Sequence, residues 1–369
     1  MKTAAIFSAL VALASAAAVD LTKRASPLDV KVEQLGNTGF KASITNTGDS
    51  ALRVLKTGSI LDSAPVEKAR ISQNGKLVQS FCFDPSLLPS IPKSVAFTGP
   101  RFFIHTENLS DSAFQVIAAG ETVEVEWDAA QWHDLGAGGA FDIASSGSLQ
   151  YANEGSNTIV GQVIYSSNTI QATVDGTQAA EVYSAFKIAQ NEKRVTVQSD
   201  CSGSRKTAVT NAISKAKSYA TSASAAATAG TRVDQYFHST SSSTKSTIAS
   251  VFDKTASQFS SSTSGAVKLY CTDVGNWCTD GVVAYTQPGS NEYIVLCDYW
   301  FQFPASSTAC HAADQPYVLV HEATHLVAVK GTDDVCYGYE GCVTSISTSQ
   351  SLNNADSYAL YSNGILANC

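Results

Sequence analysis

Two imidazoles and a carboxylate stand at a spacing that suits a metal ion: His321-Glu322-Ala323-Thr324-His325. Residues four apart on a helix project from one face, so His321 and His325 can share an ion at about 2.0–2.1 Å from each ring nitrogen. Glu322 then lies beside the ion without ligating it, where it could take a proton from bound water. Two ordinary surface histidines beside a solvated glutamate would read the same way, so the flanking residues have to choose. Upstream, Asp314-Gln315-Pro316 supplies a capping acid and an early proline, and Tyr317-Val318-Leu319-Val320 is an apolar run. These signals predict a helix over 316–329.

A catalytic zinc usually has three protein ligands and one open position. A metzincin would need Gly three residues after the second histidine and His three beyond that, but the chain has Ala328 and Gly331 there. A gluzincin would bring a glutamate from a later helix, and the only one after the motif is Glu340, in a Gly/Tyr-rich loop. The chain instead continues as Gly331-Thr332-Asp333-Asp334-Val335-Cys336-Tyr337-Gly338. This resembles the G-T-x-D-x-x-Y-G signature of the aspzincins, the family of fungal deuterolysins, and the resemblance extends over about Ser199 to Cys369. It implies Asp334 as the third zinc ligand and Tyr337 as a phenol that donates to the developing oxyanion. Asp356, in Asn353-Asn354-Ala355-Asp356-Ser357-Tyr358, also resembles a family element. It is either a competing ligand or a carboxylate that orients a ligand histidine. Asp333 fills the variable position and reads as a turn residue in an Asx-type bend.

The elements that must position these groups occupy the end of a long chain. Its 369 residues suggest two domains. Lys2, the apolar run Ala4 to Leu13 and the small residues Ala14 to Ala18 read as a signal peptide over 1–19. No later stretch is apolar for long enough to span a membrane. The net charge of -8 leaves no basic footprint for nucleic acid or anionic lipid and would weakly attract basic substrates. Residues 20–194 alternate like strands: Asp29–Glu33 and Phe40–Ile44 around the turn Gly36–Gly39, then Leu52–Leu55, Glu121–Trp127 and Ile159–Tyr165. Short strands with Gly/Asn turns suggest a β-sandwich. His105 and His133 stand alone there and read as structural, and Asn108-Leu109-Ser110 is a glycosylation sequon.

Composition changes at Lys193-Arg194, a dibasic pair that a kexin-type protease would cut; Lys23-Arg24 is another. Beyond it, residues 195–369 read as helices over Arg205 to about Thr228, stopped by Gly230, over Thr231–Phe237 and Lys245–Phe259, and from Ser351 to Leu360. Gly265–Tyr270, Val282–Tyr285 and Tyr293–Leu296 read as strands, the last two as a hairpin whose edge could hold an extended peptide. The expected fold class is therefore α+β. A zincin-like domain, mostly helical with a small antiparallel sheet, follows a β-rich, sandwich-like propeptide.

Eight of nine cysteines lie after residue 200, which fits a disulfide framework in an exported protein. The resemblance implies Cys201–Cys271, Cys278–Cys297 and Cys310–Cys369. Cys336 and Cys342 are additional, close enough to bridge each other or else free beside the site. Cys82 is the odd one, either a buried free thiol between Phe81 and Phe83 or a cap on the zinc in the zymogen.

The expected activity is that of a secreted, monomeric zinc metalloendopeptidase that cuts internal bonds of proteins, with a leaning towards basic ones. The propeptide would act as inhibitor or folding aid. A peptidyl-Lys-specific enzyme of the same family and a non-catalytic zinc-containing binding protein are the alternatives.

Overall fold

The computed structural model describes residues 26–73, 93–107, 109–183, 199–260, 268–289 and 292–369. The leader, Lys23-Arg24, Cys82, Asn108 and Lys193-Arg194 lie outside them.

Alternation early in the chain builds a hairpin. Strand β1 (Leu28–Leu35) pairs antiparallel with β2 (Gly39–Asn46), setting Val30 opposite Ile44 and Val32 opposite Ala42. Gly36 turns the corner with φ of 70°, a conformation glycine adopts without steric cost. Strand β8 (Thr122–Asp128) pairs with the other edge of β2. A second antiparallel sheet joins β3 (Leu52–Leu55), β7 (Phe114–Ile117), β10 (Ser146–Ala152) and β11 (Ile159–Ser166). A third joins β4 (Arg70–Gln73), β5 (Lys93–Ser94), β9 (Gly139–Ala144) and β12 (Ile170–Val174). The inward residues of all three, among them Phe40, Ile44, Ile71, Phe141 and Leu149, share one buried core. Apolar burial of this kind, about 25 cal/mol per Å², is the main force that holds small sheets together.

The C-terminal half is organised around helices. Helix α1 (Gly203–Ala229) ends where Gly230 takes the left-handed conformation at φ of 82°, as its stop signal predicts. It packs on α3 (Ser242–Gln258), on the motif helix α4 (Gln315–His325) and on α7 (Ala355–Ala367). Short helices α2 (Val233–Phe237), α5 (Tyr339–Ser345) and α6 (Thr348–Ser351) fill the gaps. Tyr219, Phe252, Leu319, Tyr358 and Tyr361 lie in the common core.

Two helix expectations change. The motif helix stops at His325, not at 329, because Leu326 swings to ψ of 133° and its carbonyl caps the next turns, accepting from Val329, Lys330 and Gly331. The helix expected over 351–360 is two helices, broken at 352–354 where Asn353 and Asn354 bond the metal-motif loop.

A fourth sheet ties the halves together. Its order is β13 (Lys268–Tyr270), β15 (Tyr293–Leu296), β14 (Val282–Gln287) and β6 (Arg101–Ile104). Strands β14 and β15 form the expected hairpin, and β13 runs parallel to β15. Strand β6 comes from the N-terminal half and pairs antiparallel with the edge of β14, Arg101 opposite Thr286 and Phe103 opposite Ala284. Four disulfides brace the C-terminal half: Cys201–Cys271, Cys278–Cys297, Cys310–Cys369 and Cys336–Cys342. Among the described residues no helix is long and apolar enough to cross a membrane.

Candidate active site

The motif helix starts where the sequence marks it. The Asp314 carboxylate accepts from the Tyr317 N–H at 2.8 Å and from the Tyr219 hydroxyl at 2.6 Å. That cap satisfies one of the amides a helix start leaves unpaired. Every residue from Gln315 to His325 is buried, so both histidines and Glu322 are held inside the protein.

The ring orientations are set by their second nitrogens. His325 Nδ1 lies 2.8 Å from the Thr332 carbonyl, which can only accept, so Nδ1 carries the proton and Nε2 the lone pair. His321 Nδ1 faces Asp356 Oδ1 at 3.4 Å. The two Nε2 atoms stand 3.2 Å apart, and Asp334 Oδ1 lies 3.1 Å from one and 3.4 Å from the other. No hydrogen-bond donor serves that oxygen. Three electron-rich atoms converging on one point repel one another unless a cation sits among them. In a tetrahedral site with bonds of about 2.0–2.1 Å, ligand atoms stand about 3.3–3.4 Å apart, so the three fit such an ion. His321, His325 and Asp334 are the cluster able to hold a metal among the described residues.

With no ion among them, these groups answer one another's charge. Burial pushes His321 down, but Asp334 and Asp356 outweigh it and raise it to about 10. Burial alone would raise Asp334, yet His325 and His321 hold it well below the usual carboxylate range. Glu322 is pushed up to about 8 by burial, against the pull of His321 and of the Thr286 hydroxyl. Glu322 Oε2 accepts from Thr286 Oγ1 at 2.6 Å, while Oε1 has no partner and is free for a proton.

The loop after α4 is braced from below. The Asn354 side chain accepts from the Val335 and Cys336 amides at 2.8 and 3.2 Å, the Asp333 amide donates to the Asn353 carbonyl at 2.8 Å, and the Asp333 carbonyl accepts from the Ala355 amide at 3.0 Å. The Cys336–Cys342 bridge, Cα atoms 5.4 Å apart, closes the loop around Tyr337. Asp356 accepts from Tyr317 Oη at 2.8 Å and from the Gly338 amide at 2.6 Å, as well as facing His321. Its oxygens are thus engaged with those three groups, outside the converging triad.

Strand β6 crosses this site. Tyr337 Oη donates to the Phe102 carbonyl at 2.7 Å, and the Phe103 amide lowers the Glu322 pKa. The Phe103 ring meets His321 edge-on, centroids 4.9 Å apart.

His321, Glu322, His325, Asp334, Tyr337 and Asp356 are therefore brought together. Lys193 and Arg194 lie outside the described residues. Asp333 is not an Asx-bend residue: its carboxylate pairs with Arg70 at 2.5 Å and Arg101 at 2.7 Å, and accepts from Asn353 at 2.6 Å. Reading the sequence missed Thr286, Thr332, Tyr317 and Asn354. Thr286, a polar residue at the end of an apolar strand, left a faint signal; Thr332 acts through its backbone and left none. His105 lies outside the converging triad, its ring packing on Tyr299 and Phe303.

Over 374 residues the chain is 45% identical to a neutral protease 2 homolog of Colletotrichum graminicola, covering all of both chains. It is 42% identical over 371 residues to another from Pyricularia oryzae, again end to end. A zinc peptidase from Grifola frondosa aligns with 26% identity and a TM-score of 0.37, covering 44% of this chain and 97% of that one. The profile of the deuterolysin metalloprotease (M35) family matches residues 1–369, and the chain belongs to that family.

Proposed function

We infer that this chain is a secreted zinc endopeptidase made as an inactive precursor, cut after Lys193-Arg194 to free residues 195–369. The observation that carries the reading is the convergence of His321 Nε2, His325 Nε2 and Asp334 Oδ1, with the unpartnered Glu322 Oε1 beside them. With Asp356 held by Tyr317 and Gly338, three ligands leave a fourth position open, which favours catalysis over a closed structural site.

Bound zinc would supply Lewis acidity, polarising a carbonyl and making water more acidic. The side chains then divide the work. Glu322, kept basic-ready by burial at a raised pKa, takes the proton of the attacking water and delivers it to the leaving amine. Tyr337 donates its phenol to the tetrahedral oxyanion, as it donates to the Phe102 carbonyl in the precursor. Asp356 orients His321 through Nδ1. The substrate lies extended along β14, hydrogen-bonding to that strand.

Residues 20–194 inhibit by occupying that same edge, since β6 pairs with β14 across the metal ligands. Exported basic proteins suit the acidic balance of residues 195–369, which carry nine Lys and Arg against thirteen Asp and Glu. The test is digestion of casein and protamine by the wild type and by Glu322→Gln, with and without a chelator, alongside metal content and N-terminal sequencing of the released protein. Loss of turnover in Glu322→Gln at unchanged zinc content supports the reading. Full activity in that variant, or in chelator, refutes it.

A further inference from the structure

The cleft also carries information about substrate choice, and the inference rests on the peptidase reading above. Asp333 adjoins Asp334 in sequence but faces away from the triad. It is 6% exposed. Its Oδ1 accepts from Arg101 Nη2 at 2.7 Å, and its Oδ2 from Arg70 Nη1 at 2.5 Å and Asn353 Nδ2 at 2.6 Å. Both arginines belong to the N-terminal half. Once that half leaves, the carboxylate keeps Asn353, loses both cations and opens to the cleft, free to take a new cationic partner.

Arg101 meets Asp333 from a defined place. It precedes Phe102, whose carbonyl accepts from Tyr337, and the next residue, Phe103, meets the His321 ring edge-on. The Phe102–Phe103 peptide bond thus lies between the phenol and the His321 ring, where a bond to be cut would lie. Alternation along a strand puts Arg101 and Phe103 on one face, and Phe103 rests on His321. The cleft continues past the strand both ways. A cavity of about 430 Å³ borders Arg101, Asp333 and Tyr337, and another of about 550 Å³ borders Phe103, Ile104 and Tyr317.

We propose that Asp333 is a specificity-determining residue, selecting an arginine or lysine side chain at the second position on the amino side of the bond to be cut. Arg101 of the precursor occupies that subsite in advance. A substrate strand in the same register on β14 brings its own cation there. Glu67, which shares Arg101 at 2.7 Å, departs with the N-terminal half, and Asp333 remains as the carboxylate that bonds the cation directly.

The test uses enzyme from full-chain expression in a fungal host, in the form the host releases. Two fluorogenic peptides are compared, Arg-Phe-Phe-Ile and Gln-Phe-Phe-Ile in otherwise equal flanks. Binding of both is also measured by anisotropy in a Glu322→Gln background. Wild type is expected to favour the Arg peptide in kcat/KM on the order of tenfold, as a charged hydrogen bond contributes. In Asp333→Asn the ratio should collapse towards one, and Asp333→Glu should restore part of it. An unchanged ratio in Asp333→Asn overturns the proposal. So does an equal loss on both peptides, which would make Asp333 only a brace for the loop. If neither peptide is cut but the Arg peptide binds better through Asp333, the peptidase reading fails and the subsite stands. Equal binding of both peptides refutes the subsite.

Discussion

If β6 blocks the cleft, its firmest hold should be Phe103. That side chain is 4% exposed, packs its edge on His321 at 4.9 Å and on Tyr317 at 5.8 Å, and belongs to the buried cluster around the motif helix. Truncating a buried Phe to Ala costs about 3–5 kcal/mol where the site cannot collapse. Here the lower end applies, because the cavity of about 550 Å³ beside Phe103 gives its neighbours room to relax. About 3 kcal/mol corresponds to roughly two decades in the equilibrium between seated and released strand, at 1.4 kcal/mol per decade. The backbone ladder from Arg101 to Ile104 and the Asp333 ion pairs remain, so the strand should loosen without leaving altogether. The assay compares uncut chains, with Lys193→Gln and Arg194→Gln preventing processing, and follows casein hydrolysis after zinc is added. Phe103→Ala should raise the leak of the uncut chain about 10²-fold over its parent. Equal leak in the two chains, with matching melting temperatures and metal content, would refute the view that β6 is what closes the cleft.

Tyr337→Phe should lower kcat of the processed enzyme about 10²–10³-fold with little change in KM or zinc content, the signature of a lost oxyanion donor; an intact kcat would leave the phenol with only its precursor contact to Phe102. Asp356→Asn should weaken metal affinity about 10–100-fold in a competition with a chelator, since it removes the charge facing His321 Nδ1. Replacing Cys336 and Cys342 by serine should cost about 2 kcal/mol by denaturant titration, the chain-entropy value for so short a loop. Seating of β6 should also depend on pH in one window only. Burial would raise Asp333, but Arg101 and Arg70 outweigh it and hold it below its ordinary value of 3.8. A depressed carboxylate stabilises fully above its unfolded pKa and loses that contribution as pH falls through the folded value. Hydrogen exchange at residues 101–104, corrected for intrinsic rates, should therefore be unchanged from pH 8 to about 5 and rise only below about 4; loosening at pH 6 would contradict this.

Much of the site was legible because local chemistry dictates it. Asp314 and Pro316 must start a helix, and one helical turn must put His321 and His325 on the same face, whatever surrounds them. The resemblance carried by the Gly331–Gly338 signature implied Asp334 and Tyr337 by position and three of the four bridges, and left Cys336 and Cys342 either paired or free. Sequence could not carry the contacts set by long-range approach. Glu322 meets Thr286 across 36 residues and Tyr337 meets Phe102 across 235. The helix end at Leu326 depends on where the chain must turn to bring Thr332 beneath His325.

By itself, then, the sequence determined the His321/His325 pair with Glu322 and the start of their helix, because these are dictated by spacing and side-chain chemistry within a few turns of chain; the third ligand and three of the bridges were implied by the family resemblance. Only the tertiary structure decided that Arg101–Ile104 completes the sheet beside the motif and that Asp333 holds two arginines rather than capping a turn. The run Arg101–Ile104 carries no local mark of its partner, and the edge it takes is chosen by the burial and charge that the rest of the fold assembles there.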